Sequence, residues 1–287
     1  MRNILLIIDD VKEARSLAKK ALKVARQCRA NLQLCNAAKA VAKENFFVHY
    51  SDDDVLLEEN DGIDIHELAG QLTIADPPEG MFVPTVNCLE INSFTPAMIR
   101  EIVINNDIWL IIMGEQRLYQ LKNKDIANPA FEVIDNINCP VLIMSQHMDF
   151  NYFNRISYVT DLRYCDLGVM QFLKVFSAQL FVTHVSAPGL PDMEERYAQE
   201  LLAEEISTKV NYSKMFLRNL KSKNVKDSID RVLDTLEIKM LAFVNKKHQT
   251  FERLFDDFND KPRIYHNVPT LIFPYLNWFH KASFYSK

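Results

Sequence analysis

The segment NILLIID at residues 3–9 is echoed by RISYVTD at residues 155–161, and the stretches that follow the two run in parallel. Behind the first lie apolar positions at Val11, Ala14, Leu17, Ala18, Ala21, Leu22, Val24 and Ala25, with lysines and arginines between them. That is helical spacing with a solvated basic face. NLQLCNAA (31–38) then reads as a second strand, GMFVPTVNC (80–88) as a third, IWLIIMG (108–114) as a fourth and CPVLIMS (139–145) as a fifth. Residues 43–76 read as an acidic helical stretch, and Thr95 before Pro96 is a capped helix start. In the second half, Tyr164–Ala178 reads as helix and QLFVTHVSA (179–187) as the second strand. A charged helix is expected over 191–208, a third strand within Tyr212–Leu220 and a helix over Val225–Leu236. IKMLAFVN (238–245) matches IWLIIMG, and VPTLIFP (268–274) matches CPVLIMS. Near-continuous apolar runs suit strands buried on both faces, and their alternation with helices implies a parallel sheet covered on both sides. The expected fold is therefore α/β, with two tandem five-stranded parallel-sheet domains at 1–145 and 155–275. Residues 146–154 form the linker and 276–287 an aromatic C-terminal tail. The second copy is the shorter: Asp9 to Pro140 spans 131 positions, Asp161 to Pro269 only 108.

Glycine limits what those two scaffolds can carry. The chain of 287 residues has six, at positions 62, 70, 80, 114, 168 and 189, none closer than eight positions to the next. Loops that wrap phosphate in backbone N–H groups need several glycines within a few residues. A Walker A loop, a dinucleotide fingerprint and a kinase-type loop are thereby excluded. Hydrophobic content of 48% with 25% charged residues is that of a well-cored globular chain. Apolar runs such as Ile4–Ile8 and Trp109–Met113 fall far short of the ~20 residues that span a bilayer. No membrane association and no secretory signal are expected. Five cysteines without CxxC spacing read as reduced thiols, which points to a cytoplasmic protein. A net charge of −5 argues against nucleic acid as a partner. Residues 1–150 hold 14 basic and 22 acidic groups, residues 151–287 hold 19 and 16, and much of the acidic excess falls in Asp52–Asp64.

A unit that opens with ILxxxD, carries a buried strand ending IIMG and closes on PVLI resembles the universal stress protein family. The resemblance covers nearly the whole chain as two tandem domains. It implies the universal-stress, adenine-nucleotide-hydrolase-like fold, with strand order 3-2-1-4-5 and ligands beyond the carboxyl ends of the central strands, where the order reverses. ATP-binding members hold adenine near the aspartate after the first strand. They hold phosphate in a G-x2-G-x9-G-[S/T] loop after the fourth. The resemblance puts Asp9 at the adenine side and Gly114 at the opening glycine. The second glycine falls on Arg117, the third on Ala127 and the hydroxyl on Asn128, followed by Pro129, which has no N–H to offer. Glu115 adds a carboxylate where a triphosphate would lie. Asp9, Gly114 and Asn128 thus outline a vestigial nucleotide crevice. In the second copy Asp161 takes the place of Asp9, Asn245 that of the first glycine and His248 that of the second, and residues 245–269 contain no glycine. The family's fifth strand commonly mediates pairing between domains, which implies pairing of residues 140–144 with 269–273 and leaves other surfaces for a homodimer.

Other residues carry less. Asp9 and Asp10 are adjacent, so their side chains point to opposite faces and do not form a dyad. The seven histidines show no metal-ligand spacing, and His184 reads as structural. Arg163, Lys246, Lys247 and His248 gather cationic groups at the second crevice, so Asp161, Arg163, Asn245, Lys247 and His248 form a candidate anion site, with a solvated charge cluster as the alternative. The basic stretch from Lys209 to Lys226, interleaved with Tyr212 and Phe216, reads as a half-buried strand ahead of a nucleic-acid surface. No G-x-S-x-G elbow or activated cysteine is present. The expectation is a non-catalytic stress-response protein acting through contacts with an unidentified protein partner, without a cofactor. The alternatives are a sensor of ATP, AMP or a small anion in the second domain and, less favoured, an enzyme of the wider nucleotide-binding α/β group.

Overall fold

The computed structural model describes residues 1–8, 11–37, 64–74, 80–91, 95–114, 134, 137–145, 148, 150–160, 162, 165–186, 194–221, 225–245 and 268–274. The chain divides into two units, Met1–Gln146 and His147–Lys287.

In the first unit the described strands are β1 (Arg2–Ile8), β2 (Ala30–Asn36), β3 (Val86–Glu90), β4 (Ile108–Gly114) and β5 (Val141–Met144). They lie in the order β3-β2-β1-β4-β5, with every pairing parallel. The helices are α1 (Val11–Cys28), α2 (Ile65–Ile74) and α3 (Pro96–Asn105). Right-handed crossovers leave β1 toward β2 and β3, then return toward β4, which puts α1 and α2 on one face and α3 on the other. Ile4–Ile8 and Leu110–Met113 are at most 1% exposed, so the apolar runs are strands covered on both sides. Thr95 caps α3 by accepting from the Met98 N–H at 3.3 Å, with Pro96 in the first turn.

Two readings of this unit need correction. The strand expected over 80–88 begins only at Val86: Pro84 has no N–H for a ladder, and the Thr85 carbonyl accepts from Leu32 N–H at 2.9 Å. The basic face of α1 is not uniformly solvated, because Lys20 is buried and donates from Nζ to the Ser145 carbonyl at 2.7 Å. That bond ties α1 to the end of β5. Of the helical stretch expected over 43–76, only Ile65–Ile74 lies among the described helices.

The second unit carries β6 (Arg155–Val159), β7 (Gln179–Ser186), β8 (Met215–Lys221), β9 (Met240–Asn245) and β10 (Thr270–Pro274). Its order, β8-β7-β6-β9-β10, is again third, second, first, fourth, fifth, and its strand pairs are parallel. The helices are α4 (Leu167–Leu173), α5 (Glu195–Glu200), α6 (Ser207–Val210) and α7 (Val225–Thr235). A 3-10 turn, Lys174–Phe176, extends α4, and a π-helical stretch, Leu201–Ile206, joins α5 to α6. The charged helix expected over 191–208 is thus a helical run with a widened centre. Before β6, Phe153 is fully buried, 4.4 Å from the ring of Phe150 and edge-on to Phe176 at 5.6 Å. Phe150 and Phe153 of the linker therefore pack into the second unit, while Tyr152 is exposed. The tail at 276–287 lies outside the described residues. Among the described residues no helix is long and apolar enough to cross a membrane.

Candidate functional site

In each unit the connections leave the first strand in opposite directions, and in sheets of this order ligands bind in the crevice beyond the carboxyl ends of the first and fourth strands. In the first unit these ends are Ile8 and Gly114. Ile7 pairs with Met113, and Gly114, buried, pairs with Met144. The Ile8 carbonyl accepts from Ala37 N–H at 2.7 Å, so this backbone acceptor is already used inside the sheet. Next to these ends Ile8 is 1% exposed and Met113 and Cys35 are fully buried, while half-buried Asn36 ends β2 beside Ile8. Burial pushes the Cys35 thiol up to about 12. At ordinary pH it is a neutral packing group.

The second crevice is built differently on the same strand order. Aligning 155–161 with 3–9 sets Ser157 against Leu5 and Thr160 against Ile8, and the two registers set Thr183 against Cys35. Polar side chains thus replace apolar ones at matched positions. Ser157 Oγ and Thr183 Oγ1 lie 2.9 Å apart, both buried, and Thr183 Oγ1 also donates to the Phe181 carbonyl at 3.4 Å. On the opposite pleat, the His184 ring places Nδ1 3.4 Å from the Thr160 carbonyl. A carbonyl can only accept, so in the neutral ring Nδ1 carries the proton and Nε2 the lone pair. His184 is 2% exposed, and its Nε2 has no hydrogen-bond partner among the described residues. The structural reading of His184 is therefore incomplete: one ring nitrogen meets the strand end and the other meets no partner among the described residues. Tyr158, fully buried, has its phenol held well above its ordinary value, first by burial and then by Cys165. Beyond β6, Asp166 caps α4 by accepting from Gly168 N–H at 2.8 Å and Val169 N–H at 3.2 Å. β9 ends at Asn245, half-buried and paired with Pro274.

Of the sequence-predicted site residues, Gly114 and Asn245 are placed at the carboxyl ends of β4 and β9, where the family loop would begin in each unit. Asp9, Asn128, Asp161, Arg163, Lys247 and His248 lie outside the described residues. Among the described residues no group of three His, Cys, Asp or Glu side chains could hold a metal ion. The polar lane of Ser157, Thr160, Thr183 and His184 was not singled out from the sequence. Its signal was the hydroxyls that interrupt the apolar runs in ISYVT and FVTH.

Parallel sheets in this order, with the strand order reversing at the first strand, define a doubly wound α/β protein. The universal stress protein family matches residues 1–145, and the chain belongs to that family. Family membership supports a role in the stress response. None of the curated proteins matches the sequence. Among solved structures, a universal stress protein from Archaeoglobus fulgidus is similar at 12% identity with a TM-score of 0.62, covering 95% of this chain and 96% of that one. A functionally unknown protein from Pseudomonas aeruginosa is similar at 14% identity with a TM-score of 0.55, covering 99% and 96%. At such identities the likeness is one of fold, and it extends over both units.

Proposed function

We propose that this protein is a non-catalytic member of its family that serves the stress response as a cytoplasmic regulator or adaptor. It acts through contacts with a protein partner, as a homodimer, and does not bind ATP. The observation that carries the reading is the loss of the phosphate loop. Counting from Gly114 at the end of β4, the remaining pattern positions read Arg117, Ala127 and Asn128. Counting from Asn245 at the end of β9, no glycine occurs before residue 270. The family pattern has glycine at the places of Arg117, Ala127, Asn245 and His248 so that backbone N–H groups can approach phosphate oxygens, and this sequence has larger residues there. The test is to denature the purified protein, assay the released fraction for nucleotides, and titrate the native protein with ATP and AMP by calorimetry. The expected result is no bound nucleotide and no binding heat; stoichiometric ATP or AMP would overturn it.

A second reading has its own support. At the strand ends of the second unit Thr160 stands where the first has Ile8 and His184 where the first has Asn36, and Arg163, Lys246, Lys247 and His248 follow the ends of β6 and β9 in sequence. These features suit a small-anion sensor whose contacts are made by side chains. In that case inorganic phosphate binds, and Lys247→Ala or His248→Ala weakens it. Affinity unchanged by both substitutions would remove this crevice as the site.

A further inference from the structure

β8 is the last strand in the order of the second unit, and β7 pairs with one of its sides. Leu180 N–H donates to the Lys214 carbonyl at 2.8 Å, and the register then runs unbroken from Leu180↔Met215 to Ser186↔Lys221. In a parallel ladder alternate residues turn their backbone groups to the same side. Phe216, Arg218 and Leu220 therefore face β7, while Met215, Leu217, Asn219 and Lys221 turn N–H and C=O outward. Among the described residues no strand takes up that edge.

The side chains give the edge a chemical character. Phe216 stacks on Phe181 with ring centroids 5.4 Å apart, yet stays 40% exposed. It is thus only partly the sheet-packing aromatic expected from its alternation with charges. Arg218, exposed, sits 5.4 Å over the same Phe181 ring and donates from Nη1 to the Leu217 carbonyl at 3.1 Å. That carbonyl belongs to the open edge, so the guanidinium covers one of its acceptors. Exposed Lys214 adds a second cation at the start of the strand, its Nζ 3.2 Å from the Ser177 carbonyl.

We propose that the open edge of β8 is a docking site for an extended acidic segment of another protein, which adds to the sheet as a further strand. The proposal rests on the protein-contact reading above and names the partner's chemistry. Strand addition takes its affinity from main-chain hydrogen bonds and its specificity from side chains on alternate positions. A carboxylate on the incoming strand draws the Arg218 guanidinium into a paired, charge-assisted bond. The Leu217 carbonyl is then free to accept a main-chain N–H. A second copy fits less well: antiparallel pairing of two β8 strands about their centre sets Arg218 against Arg218, and like charges directly opposite destabilise a sheet.

The experiment uses the full-length protein and a fluorescein-labelled seven-residue peptide of alternating glutamate and valine, followed by anisotropy at low salt. Saturable binding is expected, weakened about tenfold or more by Arg218→Glu and by a peptide with proline at its centre, and lost with lysine in place of glutamate. The proline peptide decides the matter even if Arg218→Glu fails to fold. Binding that is absent, or indifferent to both Arg218→Glu and the central proline, would overturn the proposal. So would a change in the sedimentation of the protein alone on Arg218→Glu, which would make the edge a contact between copies. None of these outcomes touches the nucleotide titration, which judges the non-nucleotide reading separately.

Discussion

Ser157 and Thr183 put two hydroxyls in a sheet whose first-unit counterpart has Leu5 and Cys35 at the same places. Removing one hydroxyl leaves the other buried with only the long bond to the Phe181 carbonyl, or with none. Ser157→Ala and Thr183→Val are each expected to cost about 1–2 kcal/mol, and the double variant distinctly less than their sum. Urea unfolding of the three variants measures this, and strict additivity would show that the hydroxyls do not depend on each other. Cys35 bears on pH. Burial raises its thiol from 9.0 to about 12, so between those values the unfolded chain gives up a proton that the folded chain keeps. Its contribution to stability is complete below pH 9.0 and is lost as pH rises toward 12. The urea midpoint should fall over that window, and less steeply in Cys35→Ala; equal slopes would assign the alkaline loss to other groups. Cys28 is pushed up further still, its burial outweighing the nearby Arg2. Neither thiol should react with iodoacetamide at pH 8 until the protein is unfolded.

At the level of elements, two of the helix caps among the described residues, Thr95 and Asp166, differ in what they satisfy. Thr95 accepts one N–H at 3.3 Å, whereas Asp166 accepts two, at 2.8 and 3.2 Å, with a charge at a helix N-terminus. Thr95→Ala is expected to cost about 0.5–1 kcal/mol and Asp166→Ala about 1–2 kcal/mol, read from thermal or urea unfolding. The reverse order would mean that something other than capping sets these values. The Thr95 cap was legible because a hydroxyl followed by proline has few other local uses. The central strands were legible for a related reason: runs such as Ile4–Ile8 and Leu110–Met113 can be buried on two faces only in a parallel sheet. Strand limits were harder where the pattern alternates. Val83 and Val86 suggested one strand, but Pro84 and the Thr85–Leu32 bond delay pairing until Val86. Lys20 was misread because helical periodicity assigns a face but cannot show that an amine on it will reach a carbonyl 125 positions away.

For the molecule as a whole, the strand ends at Gly114 and Asn245 could be read from sequence and the sheet order followed from the family resemblance, while the polar lane of the second unit could not be read. Thr160 and His184 meet only because β6 and β7 lie side by side in register, and hydroxyls in a strand look the same whether they face solvent or each other. The distinction matters for function, because the fold is present in both units while the sequence of neither completes the family's glycine pattern. A ligand that binds only the native state stabilises it by about 2.7 kcal/mol at a hundredfold excess over Kd. For units of this size, where about 1 kcal/mol is worth roughly 2–4 °C, that corresponds to a rise in Tm of roughly 5–11 °C. ATP at about 5 mM would reach that excess for any Kd of about 50 μM or tighter. The expected shift is below about 1 °C, with magnesium present and ionic strength matched by sodium chloride. If inorganic phosphate under the same conditions raises Tm where ATP does not, the second crevice accepts a small anion and not a nucleotide. That outcome fits contacts made by the cationic side chains that follow Asn245 in sequence. A saturable rise of several degrees with ATP would instead mean that nucleotide is held without glycine, and the non-nucleotide reading of the family scaffold would fall.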